Sequence, residues 1–268
     1  MQFRELGNTG VKVPEVGLGT WQYTAGPEPM LRAIELGSNL IDTAEMYGTE
    51  ERVGSIIKPV REKVFLATKV SGNHLRYDAV LQAAEGSLKR LDTGHIDLYQ
   101  IHWPSSAFPI KETMRAMETL VDRGMVKHIG VSNFNVREME GALAAMSKYP
   151  IVSNQVKYHL RVRDIERDLI PYCQKHKVTV IAYSPLAVGA LTPKPGHKKG
   201  PGYEVLAKVG KKHGKTPAQV AMAWCLRHPW MIVIPKSQNI ARIEENCGAS
   251  GWKLDADDLR ELDRAFPA

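Results

Sequence analysis

Four side chains in the first 102 residues are of types that move protons. Asp42 follows the apolar run Asn39-Leu40-Ile41, and Tyr47 lies five residues further on. Lys69 closes Val64-Phe65-Leu66-Ala67-Thr68, and His102 closes Leu98-Tyr99-Gln100-Ile101. A carboxylate, a phenol, an ammonium and an imidazole would then stand at the same end of successive buried strands. Burying such a set is costly unless its members satisfy one another. Satisfied, they would form a proton-donating site. A phenol with a pKa of about 10 is a weak acid at neutral pH. A neighbouring ammonium stabilises phenolate and would lower that value. The expectation is that Lys69 does this for Tyr47, that Asp42 pairs with Lys69 and fixes it, and that His102 orients a carbonyl oxygen. The bland alternative is an Asp–Lys ion pair with Tyr47 packed at the rim.

Positioning these groups needs a repeated scaffold, and the chain has one. Gln2 to Leu6 and Val11 to Val13 flank Gly7-Asn8-Thr9-Gly10, which predicts a β-hairpin with a glycine-rich turn. From Val16 on, short apolar runs alternate with stretches of helical period. The runs are Val16–Leu18, Leu40–Asp42, Val64–Thr68, Leu98–Ile101, His128–Val131, Ser153–Val156, Thr179–Ala182 and Ile232–Ile234. Between them, Tyr77 to Leu91 and Ile110 to Val121 carry apolar residues at helical spacing. Asn135 with Glu138 predicts a capping box, and Thr216-Pro217 a capped helix start with proline at its first position. Leu254 to Phe266 is a last amphipathic helix. Continuous apolar strands, each followed by a helix, imply a parallel sheet covered on both faces. Eight such units predict α/β architecture: a (β/α)8 barrel with an N-terminal hairpin and a C-terminal extra helix, one domain over 1–268. An open doubly wound sheet would usually carry Gly-x-Gly-x-x-Gly after its first strand. Gly17-Leu18-Gly19-Thr20-Trp21-Gln22 lacks the third glycine.

In such a barrel, functional groups collect at the carboxyl ends of the strands. Asp42, Lys69, His102, Ser132 with Asn133, Gln155, Tyr183 with Ser184, and Lys236 with Ser237 all fall there. Ser184 to Gly202, rich in proline and glycine, is long enough for a binding loop.

The 268 residues carry a net charge of +7, but Lys and Arg are mostly dispersed among acidic residues. That argues against a nucleic-acid binder, which concentrates its charge. The one basic excess, Lys194 to Lys199, suits a loop near an anionic phosphate. No apolar run reaches the ~20 residues that span a bilayer, and the N-terminus does not resemble a signal peptide. Cys173, Cys225 and Cys247 have no metal-ligand spacing and fit unpaired thiols in the cytoplasm. The nine histidines form no ligand pair at a strand end, so no metal is expected.

Asp42-Thr43-Ala44 with Tyr47, Glu50, Val53 and Gly54 resembles a motif of the aldo-keto reductases. Ile101-His102-Trp103-Pro104, Gly130-Val131-Ser132-Asn133-Phe134 and Ile234-Pro235-Lys236-Ser237 resemble further motifs of that family, in the same order and over nearly the whole chain. The resemblance implies an NADPH-dependent carbonyl reductase on a (β/α)8 barrel, with Asp42, Tyr47, Lys69 and His102 as its catalytic tetrad. It also implies a cofactor site. Ser132, Asn133 and Gln155 would hold the nicotinamide carboxamide, and Tyr183 would stack under the ring. Ser184, Pro185 and Leu186 would cover the pyrophosphate. Lys236, Ser237 and Arg242 would bind the adenosine 2′-phosphate, Glu245 and Asn246 would reach the adenine side, and Ile234 and Pro235 belong to the same cofactor site. Gly19, Thr20, Trp21 and Asp42 fall to the cofactor as well. Trp21 and Trp103, with Tyr47 and His102, would wall a pocket for a small carbonyl substrate. The short segment Pro104 to Pro109 and the end at Ala268 suggest an open pocket. The expected protein is a cytoplasmic monomer that binds neither nucleic acid nor membrane.

Two other functions compete. Lys69 at a strand end could form a Schiff base, as in an aldolase. The chain could also be a non-catalytic NADPH-binding subunit.

Overall fold

The computed structural model describes residues 1–192 and 199–268. A short antiparallel hairpin, β1 (Phe3–Glu5) with β2 (Lys12–Pro14), comes first. Eight parallel strands follow: β3 (Leu18–Gly19), β4 (Leu40–Asp42), β5 (Phe65–Val70), β6 (Ile96–Ile101), β7 (Val126–Ser132), β8 (Ile151–Lys157), β9 (Thr179–Tyr183) and β10 (Met231–Ile234). Each pairs with the next in sequence, and Val16 with Val233 and Gly19 with Lys236 bridge the ends. The expected (β/α)8 barrel is the observed one.

Both faces of the strands are buried, which is why they read as unbroken apolar runs rather than alternating ones. Leu40, Ala67, Leu98, Ile181 and Ile232 fill the barrel interior. Ile41, Leu66 and Tyr99 belong to the larger core between strands and helices. The helices fall where periodicity puts them, at Tyr77–Leu91 and Ile110–Asp122. The expected capping box of Asn135 with Glu138 forms, and the expected cap at Thr216 forms too, as a capping box completed by Gln219. Ala256–Ala265 is the last helix. Gly54 sits where the helix Glu50–Ile57 meets the end of Tyr77–Leu91. A Cβ there would lie 2.5 Å from the Leu91 carbonyl oxygen, so only glycine allows this approach.

The hairpin closes one end of the barrel. Leu6 and Val13, both fully buried, join the interior cluster. Arg4 pairs with Glu15 at 2.8 Å and donates to the carbonyls of Leu226 and Met231 at 2.7 and 2.8 Å. This seals the amino ends of the strands and leaves the carboxyl ends as the mouth. Strand limits differ slightly from expectation: β5 runs on to Val70 and β8 to Lys157, so Lys69 and Gln155 lie just inside their strands.

Candidate active site

The parallel register sets the depth of each group. Asp42 pairs with Ala67, so Lys69 stands two residues nearer the mouth on the same face of β5. Its side chain turns back to reach Asp42. Lys69 Nζ donates to Asp42 Oδ1 at 2.6 Å and to the Thr43 carbonyl at 2.8 Å, and neither charged side chain is open to solvent. Tyr47 ends a short 3-10 turn, Glu45–Tyr47, that Gly48 terminates in the left-handed region at φ 64°. Glu45 ties this turn to the loop after β5, accepting from the Ser71 amide at 2.5 Å. The Lys69 ammonium lies 5.1 Å from the centre of the Tyr47 ring. The His102 ring meets Tyr47 edge-on, centroids 5.4 Å apart, and stacks with Trp103 at 6.1 Å. The structure thus gathers Asp42, Tyr47, Lys69 and His102 at one mouth.

The electrostatics correct one expectation. The Tyr47 phenol is raised above its ordinary value rather than lowered. Burial is the largest cause, and the Lys69 charge opposes it without overcoming it. Tyr47 is therefore a neutral hydroxyl at neutral pH, with its proton in place. Burial works to lower the Lys69 ammonium, yet Asp42 and Tyr47 hold it above the ordinary lysine value. Burial first, and then the Lys69 charge, push His102 down to about 3, so its imidazole is neutral. A neutral imidazole can donate one hydrogen bond without carrying charge.

The remaining expected residues extend from this centre. Gln155 Nε2 donates to Asp42 Oδ2 at 2.7 Å, and its backbone carbonyl accepts from Ser132 Oγ at 2.7 Å. Asn133, at φ 62°, donates to the His102 carbonyl at 3.0 Å and accepts from the Tyr183 hydroxyl at 3.1 Å. Thr20 Oγ1 donates to the Asp42 carbonyl at 2.9 Å, and Gly19 pairs with Asp42 in register. Trp21 and Trp103 are half exposed at the rim. Ser184, Pro185 and Leu186 run on from β9 into the turn Ala187–Gly189. Ile234 ends the last strand and Pro235 follows it, both buried, with Lys236 exposed and Ser237 buried beyond them. Asn239 caps the helix Ile240–Cys247, its side chain accepting from the Arg242 amide at 3.1 Å. Glu245 and buried Asn246 lie further along that helix. Of the basic stretch 194–199, only Lys199 lies within the described residues, 3.5 Å from Glu204.

Some contributors escaped the sequence reading. Gln238 accepts from the amides of Thr24 and Ala25 and donates to the Gln22 carbonyl, binding the loops after β3 and β10 together. Gln100 Nε2 lies 3.4 Å from Asp42 Oδ2. Its signal was present: a lone amide inside an apolar strand, two residues before His102 and so on the same face. Away from the mouth, His213, Asp255 and Asp258 lie close enough to share an ion. Lys212 already pairs with both aspartates, at 2.6 and 2.8 Å.

The donor set suits a dinucleotide phosphate. Lys236 and Arg242 are exposed and have no acidic partner among the described residues, and they flank a helix N-terminus whose amides favour anions. Asn133, Gln155 and the half-buried Tyr183 supply amides and an aromatic face beside the tetrad.

A closed parallel barrel thus carries a phenol, a paired ammonium and a neutral imidazole together at its mouth. Residues 15–266 match the aldo/keto reductase family. Methylglyoxal reductase YeaE of Escherichia coli is 39% identical over 269 residues, covering 96% of this chain and 93% of that protein. Glyoxal reductase of Bacillus subtilis is 37% identical over 262 residues, covering 96% and 90%. An aldo/keto reductase from Klebsiella pneumoniae, solved with NADP and acetate, superposes with a TM-score of 0.87 at 36% identity, covering 99% of this chain and 95% of that one. The chain belongs to the aldo/keto reductase family.

Proposed function

We propose that this protein reduces small aldehydes and ketones, dicarbonyls among them, to alcohols with NADPH, and that Asp42, Tyr47, Lys69 and His102 carry the reaction. The observation that carries this reading is the geometry of the mouth: the Lys69 ammonium, held by Asp42 Oδ1 at 2.6 Å, lies 5.1 Å from the centre of the Tyr47 ring, and the His102 ring meets that ring edge-on at 5.4 Å. NADPH, when bound, supplies the hydride. Tyr47 delivers the proton to the carbonyl oxygen. Lys69 stabilises the phenolate this leaves, and Asp42 holds Lys69 in place. His102, neutral, orients the oxygen by donating a hydrogen bond. Asn133, Gln155 and Tyr183 are proposed to hold the nicotinamide, and Lys236, Ser237 and Arg242 the 2′-phosphate. Trp21 and Trp103 wall the pocket.

The two relatives named for methylglyoxal and glyoxal support a dicarbonyl substrate. A Schiff-base aldolase needs a neutral lysine nucleophile. Lys69 is instead charged, raised and held by two acceptors. The free thiols Cys173, Cys225 and Cys247 support a reducing compartment, and we place the protein in the cytoplasm, as a monomer of one domain. No helix among the described residues is long and apolar enough to cross a membrane.

The test is NADPH absorbance at 340 nm with a panel that includes methylglyoxal, glyoxal and simple aldehydes and ketones. Turnover of dicarbonyls above simple aldehydes is expected. No oxidation of NADPH with any carbonyl would overturn the reading.

A further inference from the structure

The turn that carries Tyr47 has little packing of its own. Glu45, Met46 and Tyr47 all keep some surface in solvent, and Met46 is exposed. Gly48, which ends the turn, has open space where a Cβ would stand. The Tyr47 amide bonds only locally, to the Ala44 carbonyl at 3.0 Å. Two donors from the loop after β5 reach the turn, and both meet Glu45 Oε1: the Ser71 amide at 2.5 Å and His74 Nδ1 at 3.0 Å. The Glu45 side chain is almost closed off from solvent, and an ionised acceptor makes stronger hydrogen bonds than a neutral one. The far end of this tie is fixed. Ser71 follows Val70, the last residue of β5, whose carbonyl accepts from the His102 amide at 2.9 Å. Gly72 lies against the pocket wall, where a Cβ would stand 3.2 Å from the Trp103 carbonyl oxygen.

We propose that Glu45 is a positioning residue for the proton donor: through Ser71 it fixes the Tyr47 turn against the strand that carries Lys69 and the backbone that carries His102. The inference rests on the proposed reading of Tyr47 as the acid. Glu45 stands two residues before Tyr47, and Ser71 two after Lys69. Their bond therefore brackets the contact in which the ammonium lies 5.1 Å from the Tyr47 ring centre. Asp42 does not do this work for the turn, because its side chain is taken up by Lys69 on Oδ1 and by Gln155 on Oδ2. Placement matters for this step. An acid must come within hydrogen-bond reach of the oxygen it protonates, about 2.6–3.2 Å. A displacement of about 1 Å can cost about 10²-fold in rate. A turn with so few contacts, released from Ser71, has room to move by that much.

Glu45→Ala and Glu45→Gln test the role. Turnover is measured at saturating NADPH and carbonyl, in H2O and in D2O, and NADPH affinity by tryptophan fluorescence without substrate. Glu45→Ala is expected to lower kcat by roughly 10- to 100-fold and to leave NADPH affinity nearly unchanged. Its solvent isotope effect on kcat should exceed that of the wild type, because a misplaced phenol slows proton transfer relative to every other step. Glu45→Gln keeps an oxygen that accepts from the Ser71 amide and should recover most of the lost turnover. Wild-type turnover in Glu45→Ala overturns the inference, and so does a loss that Glu45→Gln does not relieve. A loss of turnover with an unchanged isotope effect and a matching loss of NADPH affinity marks a purely structural role and overturns it as well. A wild-type protein that oxidises NADPH with no carbonyl overturns the proposed function instead.

Discussion

The Asp42 carboxylate and the Lys69 ammonium lie 2.6 Å apart on adjacent strands, with neither open to solvent. Each is the condition for burying the other. A lone buried charge would shift its pKa and neutralise, whereas this ammonium stays charged next to the Tyr47 phenol. On the proposed function, the pair serves both the stability of the barrel mouth and its chemistry.

Breaking the pair should reveal both roles. Lys69→Met leaves Asp42 buried without its counter-charge, and Asp42→Asn leaves Lys69 likewise. Removing one partner of a buried pair costs about 3–5 kcal/mol. Denaturant melts should show losses of that order for each single variant and a smaller loss for the double variant. Turnover should fall in all three, most where Lys69 is absent. Additive stability losses would mean the two charges do not compensate each other.

Tyr47→Phe keeps the ring against His102 and removes only the hydroxyl. Loss of general acid catalysis costs roughly 10²–10⁴-fold in turnover. A fall of at least that size is expected in the 340 nm assay, with NADPH affinity nearly unchanged. A variant that turns over at close to the wild-type rate would remove Tyr47 as the acid.

The pH profile of reduction follows from two shifts. Tyr47 is held above its ordinary value of 10.0, so it keeps its proton across the neutral range. His102 is pushed down to about 3 and so carries no charge there. Turnover with saturating NADPH should show no inflection near 6.5, where a free histidine titrates. It should decline only on the strongly alkaline side. An inflection near 6.5 that His102→Gln abolishes would contradict a neutral imidazole.

Stability should fall in acid through His159. Its ring is buried, and Nδ1 accepts from the Arg161 amide at 3.1 Å. Burial, helped by Lys157 and Arg161, pushes it down to about 4. In the unfolded chain it takes up its proton near 6.5, so between about 6.5 and 4 the unfolded state binds more protons. The stabilisation is complete above 6.5 and lost as pH falls toward 4. His159→Asn, which offers an acceptor but no titrating group, should flatten the decline in melting temperature over that window.

Most of the fold was legible because its signals are local. Tyr77–Leu91 has a helical period, and Asn135 and Thr216 announce their helix starts through capping chemistry. The tetrad positions were legible because polar residues at the ends of apolar runs stand out. What was not legible depends on distance across the barrel. The balance between burial and the Lys69 charge at Tyr47 needs the depth of the pocket, which no spacing encodes. Gln100 stands out in β6 as a lone amide, but what it meets is not legible until β4 and β8 bring Asp42 and Gln155 to it. Gln238 ties loops more than 200 residues apart in sequence.

The last prediction concerns cofactor choice. Arg242 is exposed at the start of the helix Ile240–Cys247, and Asn239 caps its amide, so the guanidinium is not needed to hold the helix end. Neither Arg242 nor Lys236 has an acidic partner among the described residues. A guanidinium offers two parallel donors to phosphate oxygens, a geometry lysine does not reproduce. The 2′-phosphate is present in NADPH and absent from NADH, so only NADPH gains from this group. Hydrogen bonds to charged groups are worth about 1.5–3 kcal/mol, and solvent exposure moves the value toward the lower end. Arg242→Ala should therefore weaken NADPH binding by roughly 10-fold and NADH binding by much less. Arg242→Lys should recover only part of the loss. Fluorescence titration with both cofactors is the measurement. Equal losses for NADPH and NADH would mean that Arg242 supports the loop or the helix rather than the phosphate.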